Sequence, residues 1–166
     1  MTELTSPPLR ITPLDPARPE HAQALVELLD AYARDPMGGG VALSAEAREN
    51  LSRRLSARSD YAGFLAWSGD RAIGLINCFE GFSTFAARPL LNIHDIAVHP
   101  AHRGKGAGAA LLAAAESLAR ERGCCKLTLE VLSGNTGAHA LYTRVGFEAY
   151  QLDPEAGQAL FMQKKL

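Results

Sequence analysis

The run Val98–Gly108, Val-His-Pro-Ala-His-Arg-Gly-Lys-Gly-Ala-Gly, restricts the fold of this chain more than any other part of the sequence. It follows an apolar strand predicted over residues 90–98 and opens into a helix predicted to begin near Ala109. Its last six residues contain three glycines and two cations, Arg103 and Lys105. Glycines allow a ligand to approach the backbone closely, and the free N–H groups at a helix start bind anions. The run therefore predicts a site for a phosphate or pyrophosphate group.

Two common phosphate-binding loops do not fit this run. A nicotinamide or flavin site needs Gly-x-Gly-x-x-Gly and an acidic residue about 20 positions later. Neither Gly104 nor Gly106 begins such a spacing. A nucleoside triphosphate loop needs Gly-Lys followed by Ser or Thr, which binds Mg²⁺. Here Gly106 follows Lys105, so the run is expected to be another kind of loop.

Two blocks of sequence together carry a resemblance to a known family. The first block, Arg103-x-x-Gly106-x-Gly108, resembles the pyrophosphate loop of the GNAT superfamily of acetyl-CoA-dependent N-acetyltransferases. That family's second block is a strand followed by Asn-x-x-Ala-x-x-Leu-Tyr-x-x-x-Gly-Phe. Similar residues occur here in the same order, in the segments Leu129–Val131, Asn135–Ala138 and Leu141–Phe147. Two blocks in the right order are much more specific than either block alone.

The order of predicted elements indicates an α/β fold with helices on both faces of one sheet. Strands are predicted at 9–14, 61–67, 71–81, 90–98 and 126–131, with a closing hairpin of 147–152 and 158–164. Helices are predicted from Pro19, after a cap at Ser44, from the glycine run to Gly123, and over 137–145. The resemblance implies the GNAT fold, a mixed, mostly antiparallel sheet of about seven strands splayed between strands 4 and 5 and flanked by about four helices. It predicts residues 1–8 as a flexible N-terminal tail and 9–166 as a single N-acetyltransferase domain.

Composition argues against several classes of partner. The formal net charge is −1 and no basic run carries interleaved aromatic residues, so no nucleic acid partner is expected. No apolar run approaches the roughly 18 residues of a membrane span and no signal pattern begins the chain, so a cytoplasmic protein without a membrane partner is expected. The three cysteines and five histidines show no disulfide framework or metal spacing, so no metal is expected. Cys78 and Cys125 are expected to be small buried hydrophobes, with covalent transfer through a thiol as a minor alternative.

The resemblance also indicates which residues bind the donor, acetyl-CoA, as a cosubstrate. In the family the pantetheine arm lies in the gap between strands 4 and 5 and pairs with the backbone of strand 4. A backbone N–H at the end of that strand would stabilise the oxyanion. Asn135 is expected either to contact the coenzyme or only to cap a helix. The remaining positions are Ile96, Ala97 and Val98 for the arm, and Arg103, Gly104, Lys105, Gly106, Ala107 and Gly108 for the pyrophosphate.

Amine acetylation needs a base for the amine, a polarised carbonyl and an acid for the leaving thiolate. Tyr142 is the predicted acid, because the family places a tyrosine of this helix beside the coenzyme sulfur; the alternative is a packed helix aromatic. Glu130 is the first candidate for the base, since it precedes Tyr142 by twelve residues, as in members that acetylate protein N-termini. Asp95 is the second candidate and His94 the third, and strand alternation predicts that these neighbours point to opposite faces. A chain of water molecules can replace the base in some members.

The predicted function is direct transfer of an acetyl group from acetyl-CoA to an amine-bearing small molecule or peptide in a ternary complex. Carboxylates near the cleft would favour cationic acceptors, if they include Glu130, Asp95, Asp35 and Glu80. Three alternatives remain: an acyl-CoA sensor without turnover, an acyltransferase with another acyl donor or a hydroxyl acceptor, and a non-enzymatic nucleotide-binding module. A homodimer is also open, because exposed sheet edges can pair.

Overall fold

A computed structural model describes residues 7–150 and 153–166, which form two compact units, one ending at Leu132 and one beginning at Ser133. The second unit contains the helix α4, Thr136–Arg144. No helix in the described ranges is long and apolar enough to cross a membrane. A single domain over 9–166 stays a prediction, and residues 1–6 of the predicted tail lie outside the described residues. The first unit contains, in chain order, β1 Leu9–Pro13, α1 Pro19–Arg34, α2 Ala45–Ser56, β2 Tyr61–Ser68, β3 Arg71–Ser83, β4 Arg88–Val98, α3 Ala107–Glu121 and β5 Leu127–Leu129.

The sheet has five strands in the order β1-β2-β3-β4-β5. The first four strands are joined in antiparallel pairs, and β5 lies parallel to β4 at the edge of the sheet. The connection from β4 to β5 contains α3, as a parallel crossover requires. The α/β class and the four helices predicted from the sequence are therefore confirmed.

The prediction of about seven strands is wrong, because the closing hairpin does not form strands. Residues 147–150 and 158–164 have irregular backbone, and residues 151–152 lie outside the described residues. The apolar run Leu160, Phe161 and Met162 is at least 75% exposed. Neighbouring residues of a strand point to opposite faces, so a run of three apolar residues cannot be buried on one face. Without such burial little favours the extended pairing that the family layout implied.

Helices cover both faces of the sheet. On one face α1 and α2 pack on β2 and β3 around a cluster whose fully buried members are Leu25, Leu65 and Leu75. On the other face α3 packs on β2, β3 and β4, and Leu111 lies where a side chain at Gly74 would project. Full burial of one leucine side chain contributes about 1.5–3 kcal/mol, so these clusters hold the helices to the sheet.

Local sequence explains where the helices begin and end. The Ser44 hydroxyl accepts a hydrogen bond from the Ala47 N–H at 3.1 Å, which confirms the predicted cap of α2. Helix α3 begins at Ala107, two residues before the predicted start, because Gly106 adopts a left-handed φ of 88° and redirects the chain. It ends before Gly123, whose φ of 69° is also left-handed, as expected for a glycine after a helix.

Candidate active site

Strand β4 contains a β-bulge in its second half. Asn77 of β3 lies opposite Asp95, but the next residue, Cys78, lies opposite Ile93. His94 is therefore the extra residue on β4. A bulge bends its strand and increases the local twist. Parallel pairing of β4 with β5 also ends at Ile93, the residue before the bulge, where β5 itself ends.

The bulge brings His94 and Asp95 to the same face of the sheet. The His94 ring lies edge-on to the Phe79 ring, with 5.5 Å between centroids. The Asp95 carboxylate accepts a hydrogen bond from the Asn77 side-chain amide at 3.0 Å. Asn77 and Phe79 are two residues apart on β3 and share a face, which is the face covered by α1. The expectation that His94 and Asp95 point to opposite faces is therefore wrong, because alternation does not hold across a bulge.

A chain of hydrogen bonds leads to Asp95 from β2. The Tyr61 hydroxyl donates to Asn77 Oδ1 at 2.9 Å, and Asn77 Nδ2 donates to Asp95 Oδ2. Asn77 is only 2% exposed, whereas Asp95 is half-buried. Burial raises the pKa of the Tyr61 phenol, so this hydroxyl keeps its proton at neutral pH. The buried side of Asp95 is thus fixed, and its exposed part faces the space on the α1 side of β4.

Tyr32, near the end of α1, belongs to the same group of side chains. Its pKa is raised, first by burial and then by the negative charges of Asp95 and Asp35. Its phenol therefore lies in the field of both carboxylates. The sequence reading did not single out Tyr32, Tyr61 or Asn77, because tyrosines and an amide in amphipathic elements look like ordinary packing residues.

Arg103 joins the glycine run to the loop that follows α1. Its Nε donates to the Val98 carbonyl oxygen at 3.0 Å, and its Nη2 lies 3.2 Å from Asp35 Oδ2. The pKa of the Asp35 carboxyl is lowered, mainly by the Met37 N–H that donates to it and also by Arg103. The charge of Arg103 is thus shared with Asp35, and the predicted role of Arg103 toward a pyrophosphate stays a prediction.

The glycine run forms an open backbone cradle at the start of α3. Gly104 and Gly106 have left-handed φ values of 73° and 88°, and a Cβ added at either position would meet no heavy atom within 4 Å. No side chain among the described residues caps this end of α3. Its first N–H groups have no partner within the helix, so they are available to an anion. Lys105 is exposed and donates to the Ala101 carbonyl at 3.3 Å. Open space and unpaired donors fit a diphosphate.

Near the end of β4, the backbone groups of every second residue point away from β3. The His99 N–H donates to Ile73 of β3 at 2.7 Å. Antiparallel strands alternate the direction of these groups, so the N–H and C=O of Val98 and of Ile96 point to the side where β5 has already ended. The Arg103 side chain donates a hydrogen bond to the Val98 carbonyl oxygen, while the Val98 N–H lies on the side open to a ligand. Ile96, Ala97 and Val98 are all half-buried.

The other carboxylates that the sequence singled out are either exposed or paired with an arginine. Glu130 follows the last residue of β5 and is exposed. Glu80 forms an ion pair with Arg122, with 3.1 Å between Oε2 and Nη1. Asp35 is paired with Arg103. Of these carboxylates, Asp95 is the one held by a neutral amide, so its charge is not balanced by that partner.

The second unit places Asn135 and Tyr142 on α4. Asn135 caps the helix, since its Oδ1 accepts a hydrogen bond from the Ala138 N–H at 3.2 Å. The buried ring of Tyr142 lies 5.9 Å from the ring of Phe147, whose N–H donates to the Tyr142 carbonyl. Asn135 thus caps α4, and whether it also contacts the coenzyme is not decided by the cap. Coenzyme contacts of Asn135 and Tyr142 stay predictions.

The cysteines have the character of packing residues. Cys78 is buried as predicted, and burial raises the pKa of its thiol to about 12. Burial also raises the pKa of Cys124, and Cys125 is half-buried. A thiol with a raised pKa is a poor nucleophile at neutral pH. Within residues 7–150 and 153–166, no group of three His, Cys, Asp or Glu side chains is arranged to hold a metal ion.

Comparison with known proteins gives a family match over residues 22–147, to the model described as the acetyltransferase (GNAT) family. Streptothricin acetyltransferase of Streptomyces lavendulae is 41% identical over 95 residues, which cover 57% of this chain and 49% of that enzyme. The chain thus matches about half the length of that relative. Thialysine N-epsilon-acetyltransferase of Caenorhabditis elegans is 28% identical over 130 residues, 78% of each chain.

Solved structures share the fold at low sequence identity. A complex of the aminoglycoside N-acetyltransferase AAC(6')-Iy with CoA matches with a TM-score of 0.74 and 18% identity, and the match covers 100% of both chains. At that identity the likeness is one of fold.

Proposed function

The chain belongs to the GNAT acetyltransferase family and is an N-acetyltransferase, and from that premise we propose that it moves an acetyl group from acetyl-CoA to a primary amine of a cationic acceptor. The observation that carries the proposal is the position of Asp95 relative to the glycine cradle. Asp95 precedes Val98 by three residues, about 10 Å of extended chain, and the cradle follows Val98 directly. One strand and its continuation thus supply a carboxylate, an open backbone edge and an anion site.

Acetyl-CoA supplies the acetyl group as a thioester. Outward-pointing backbone groups of Ile96 and Val98 support pairing with the amide-containing arm of the donor, in the manner of an added strand. N–H groups from Gly104 to Gly108 support binding of its pyrophosphate. Exposed Lys105 adds positive charge to this side. Pairing between β4 and β5 ends after Ile93, which leaves the later residues of β4 unpaired on the side where the family resemblance implies the donor arm.

Asp95 is the base that the geometry favours over Glu130. A half-buried carboxylate held by Asn77 loses little freedom when it accepts a proton from an amine, whereas Glu130 is exposed beyond β5. Val98 supplies an outward N–H that would stabilise negative charge on the carbonyl oxygen during attack. Tyr142 remains the proposed acid for the leaving thiolate, on the resemblance of its helix to the family's second block.

A cationic acceptor follows from the charges on the α1 side of β4. The Asp95 carboxylate has no cationic partner in the described part of the chain, and the Tyr32 ring adds aromatic surface that attracts ammonium groups. Asp35 and Glu80 are already paired with arginines, so they contribute less than the sequence suggested. Relatives whose names specify aminoglycosides or the ε-amine of a lysine analogue are consistent with this class.

An acceptor screen tests the proposal. Release of free thiol from acetyl-CoA is measured with polyamines, aminoglycosides, amino acids and N-terminal peptides. We expect a cationic polyamine or aminoglycoside to give a higher kcat/KM than glutamate, with a loss of rate at high salt. Preference for glutamate, or no salt dependence, would overturn the acceptor class and leave the transferase activity in place.

The matched pair Asp95→Asn and Glu130→Gln tests the base. We expect Asp95→Asn to lower kcat/KM by roughly 10²-fold or more, and Glu130→Gln to change it less than about threefold. The reverse order would reassign the base. A thermal-shift panel of acetyl-CoA, CoA, longer acyl-CoAs and ATP separates acetyl transfer from the alternatives. Binding without turnover of any amine would indicate a sensor, and a larger shift with ATP would indicate a nucleotide-binding module.

A further inference from the structure

Two side chains behind Asp95, those of Asn77 and Tyr61, carry out no chemical step in the proposed acetyl transfer but form a chain of hydrogen bonds to the carboxylate. Asn77 lies on β3 directly opposite Asp95, and Tyr61 lies on β2. We propose that Asn77, oriented by Tyr61, is a positioning residue that holds the Asp95 carboxylate toward the acceptor amine. This inference rests on the proposed role of Asp95 as the base.

The two hydrogen-bond partners of the Asn77 amide fix its orientation. An amide has a donor end and an acceptor end that are nearly equal in size, so its neighbours decide which end points where. The Tyr61 hydroxyl donates to Oδ1, and this leaves Nδ2 to donate to Asp95. A flipped amide would place Oδ1 against the carboxylate, where two acceptors face each other. The raised pKa of Tyr61 keeps the donating proton in place.

The Tyr61 hydroxyl occupies space beside Gly63 that a side chain at that position would fill. Gly63 lies two residues further along β2 on the same face, and a Cβ added there would overlap the Tyr61 hydroxyl oxygen. The φ of Gly63 is not in the left-handed region, so no backbone conformation requires glycine at this position. The absence of a side chain at Gly63 leaves room for the phenol, which is the nearest group to an added Cβ, and also for the Ile76 carbonyl oxygen at 3.1 Å.

The two oxygens of the Asp95 carboxylate have different surroundings. Oδ2 accepts the hydrogen bond from buried Asn77, while Asp95 as a whole is half-buried. An ionised carboxylate has about four acceptor sites, so those of Oδ1 remain for an incoming amine. A hydrogen bond to a charged group contributes more than one between neutral groups. Asn77 therefore restrains the rotation of the carboxylate.

The experiment is a double-mutant cycle between Tyr61→Phe and Asp95→Asn, read as kcat, KM and the pH profile of kcat/KM. Tyr61→Phe keeps the ring and removes the donor. We expect kcat to fall about three- to tenfold with little change in the affinity for CoA. The acid limb of kcat/KM should move to higher pH, because the variant removes the hydroxyl that orients a hydrogen bond to the carboxylate. In the Asp95→Asn background, Tyr61→Phe should have no further effect.

Other titratable groups near Asp95 could also shift the acid limb of kcat/KM. The titratable neighbours of Asp95 on the elements packed against it are Tyr32 and Asp35 at the end of α1, Tyr61 on β2, Cys78 on β3 and adjacent His94 on β4. None of them is changed in Asn77→Ala, which should move the limb in the same direction as Tyr61→Phe and by at least as much. Gly63→Ala, which displaces the hydroxyl, should reproduce Tyr61→Phe.

Asn92→Ala is the matched control. It removes a side-chain amide that donates to Thr128 elsewhere in the same sheet, and it should leave the pH limb in place. A full effect of Tyr61→Phe in the Asp95→Asn background, or an unmoved limb in folded Tyr61→Phe and Gly63→Ala, would overturn the inference while the base role of Asp95 stands. Wild-type activity of Asp95→Asn would instead remove the base role, and the positioning role with it. Tyr61→Phe provides the test even if Asn77→Ala does not fold.

Discussion

Arg103 and Asp35 are 68 residues apart in the chain, and their side chains meet with 3.2 Å between Nη2 and Oδ2. This pair connects the loop before α3 with the loop after α1. Because Arg103 also holds the Val98 carbonyl, the end of β4 is tied to the same junction. The residues proposed to bind the donor and those proposed to face the acceptor are therefore in direct contact.

Arg103→Ala should weaken CoA binding by about tenfold, ~1.4 kcal/mol, because it removes a positive charge and the support of the Val98 carbonyl. Asp35→Asn should weaken it less than about threefold, since Val98 still holds the guanidinium and its charge is no longer shared. Isothermal titration calorimetry with CoA measures both. Equal losses in the two variants would mean that Arg103 acts by bracing the loop against Asp35 and not by its charge.

Gly106→Val should lower acetyl-CoA affinity at least about tenfold, because a side chain would fill the open cradle and block the approach of a phosphate. Gly106→Ala and Gly123→Ala form a matched pair for this effect. Both positions have left-handed φ and open space around an added Cβ, so each should cost about 1–2 kcal/mol of stability. Only Gly106→Ala should also lower the affinity for acetyl-CoA. Unchanged affinity in folded Gly106→Val would contradict the cradle.

Tyr142→Phe should lower kcat roughly 10²-fold while donor affinity stays near that of the wild type. The substitution keeps the ring that packs on Phe147 and removes only the hydroxyl group. Stopped-flow measurement of thiol release gives the rate under conditions where chemistry limits turnover. If that rate is unchanged, the tyrosine has only a packing role.

Stability should fall in acid, with Asp30 as one cause. Its carboxylate accepts hydrogen bonds from Arg34 and the Leu43 N–H and pairs with Arg48, with 2.6 Å between charged atoms. The pKa of Asp30 is lowered from its ordinary value of 3.8, first by the Arg34 hydrogen bond. A lowered folded pKa means that the stabilisation is present above the unfolded pKa and is lost as the pH falls through the folded one.

The wild-type Tm should therefore decline between about pH 5 and pH 3, and Asp30→Asn should start from a lower Tm and decline less. The amide of the variant can still accept from the Leu43 N–H but cannot pair with either arginine. Calorimetric melting curves at several pH values measure this difference. Parallel curves for the two proteins would show that Asp30 does not contribute to the acid dependence.

Much of the fold was predictable because it depends on local patterns. The cap at Ser44, the glycine run before α3 and the turn around Gly69 between β2 and β3 are properties of short stretches of sequence. The number of strands was not predictable in the same way. Residues 158–164 contain apolar side chains, but whether they pair depends on the rest of the chain, and the structure leaves them exposed.

The candidate site was predicted in part. The cradle and Asp95 carry recognisable residue types, and the structure gives them suitable geometry. Asn77 was missed, although one amide in the buried run 73–78 is a signal that a polar partner lies opposite. The bulge at His94 was not predictable, because it is a property of the register between two strands and not of either sequence alone.

The bulge in β4 has a consequence for how this protein can change over evolutionary time. With strict alternation from Ile93, the same sequence would pair Asn77 with His94 and turn Asp95 toward α3. The departure of β4 from β5 begins at the same residue. The position of the Asp95 carboxylate and the end of the β4–β5 pairing are therefore both set at this bulge. Loss of the bulge would change the facing of Asp95 and the end of this pairing together, whereas substitution of Asp95 would change the carboxylate alone.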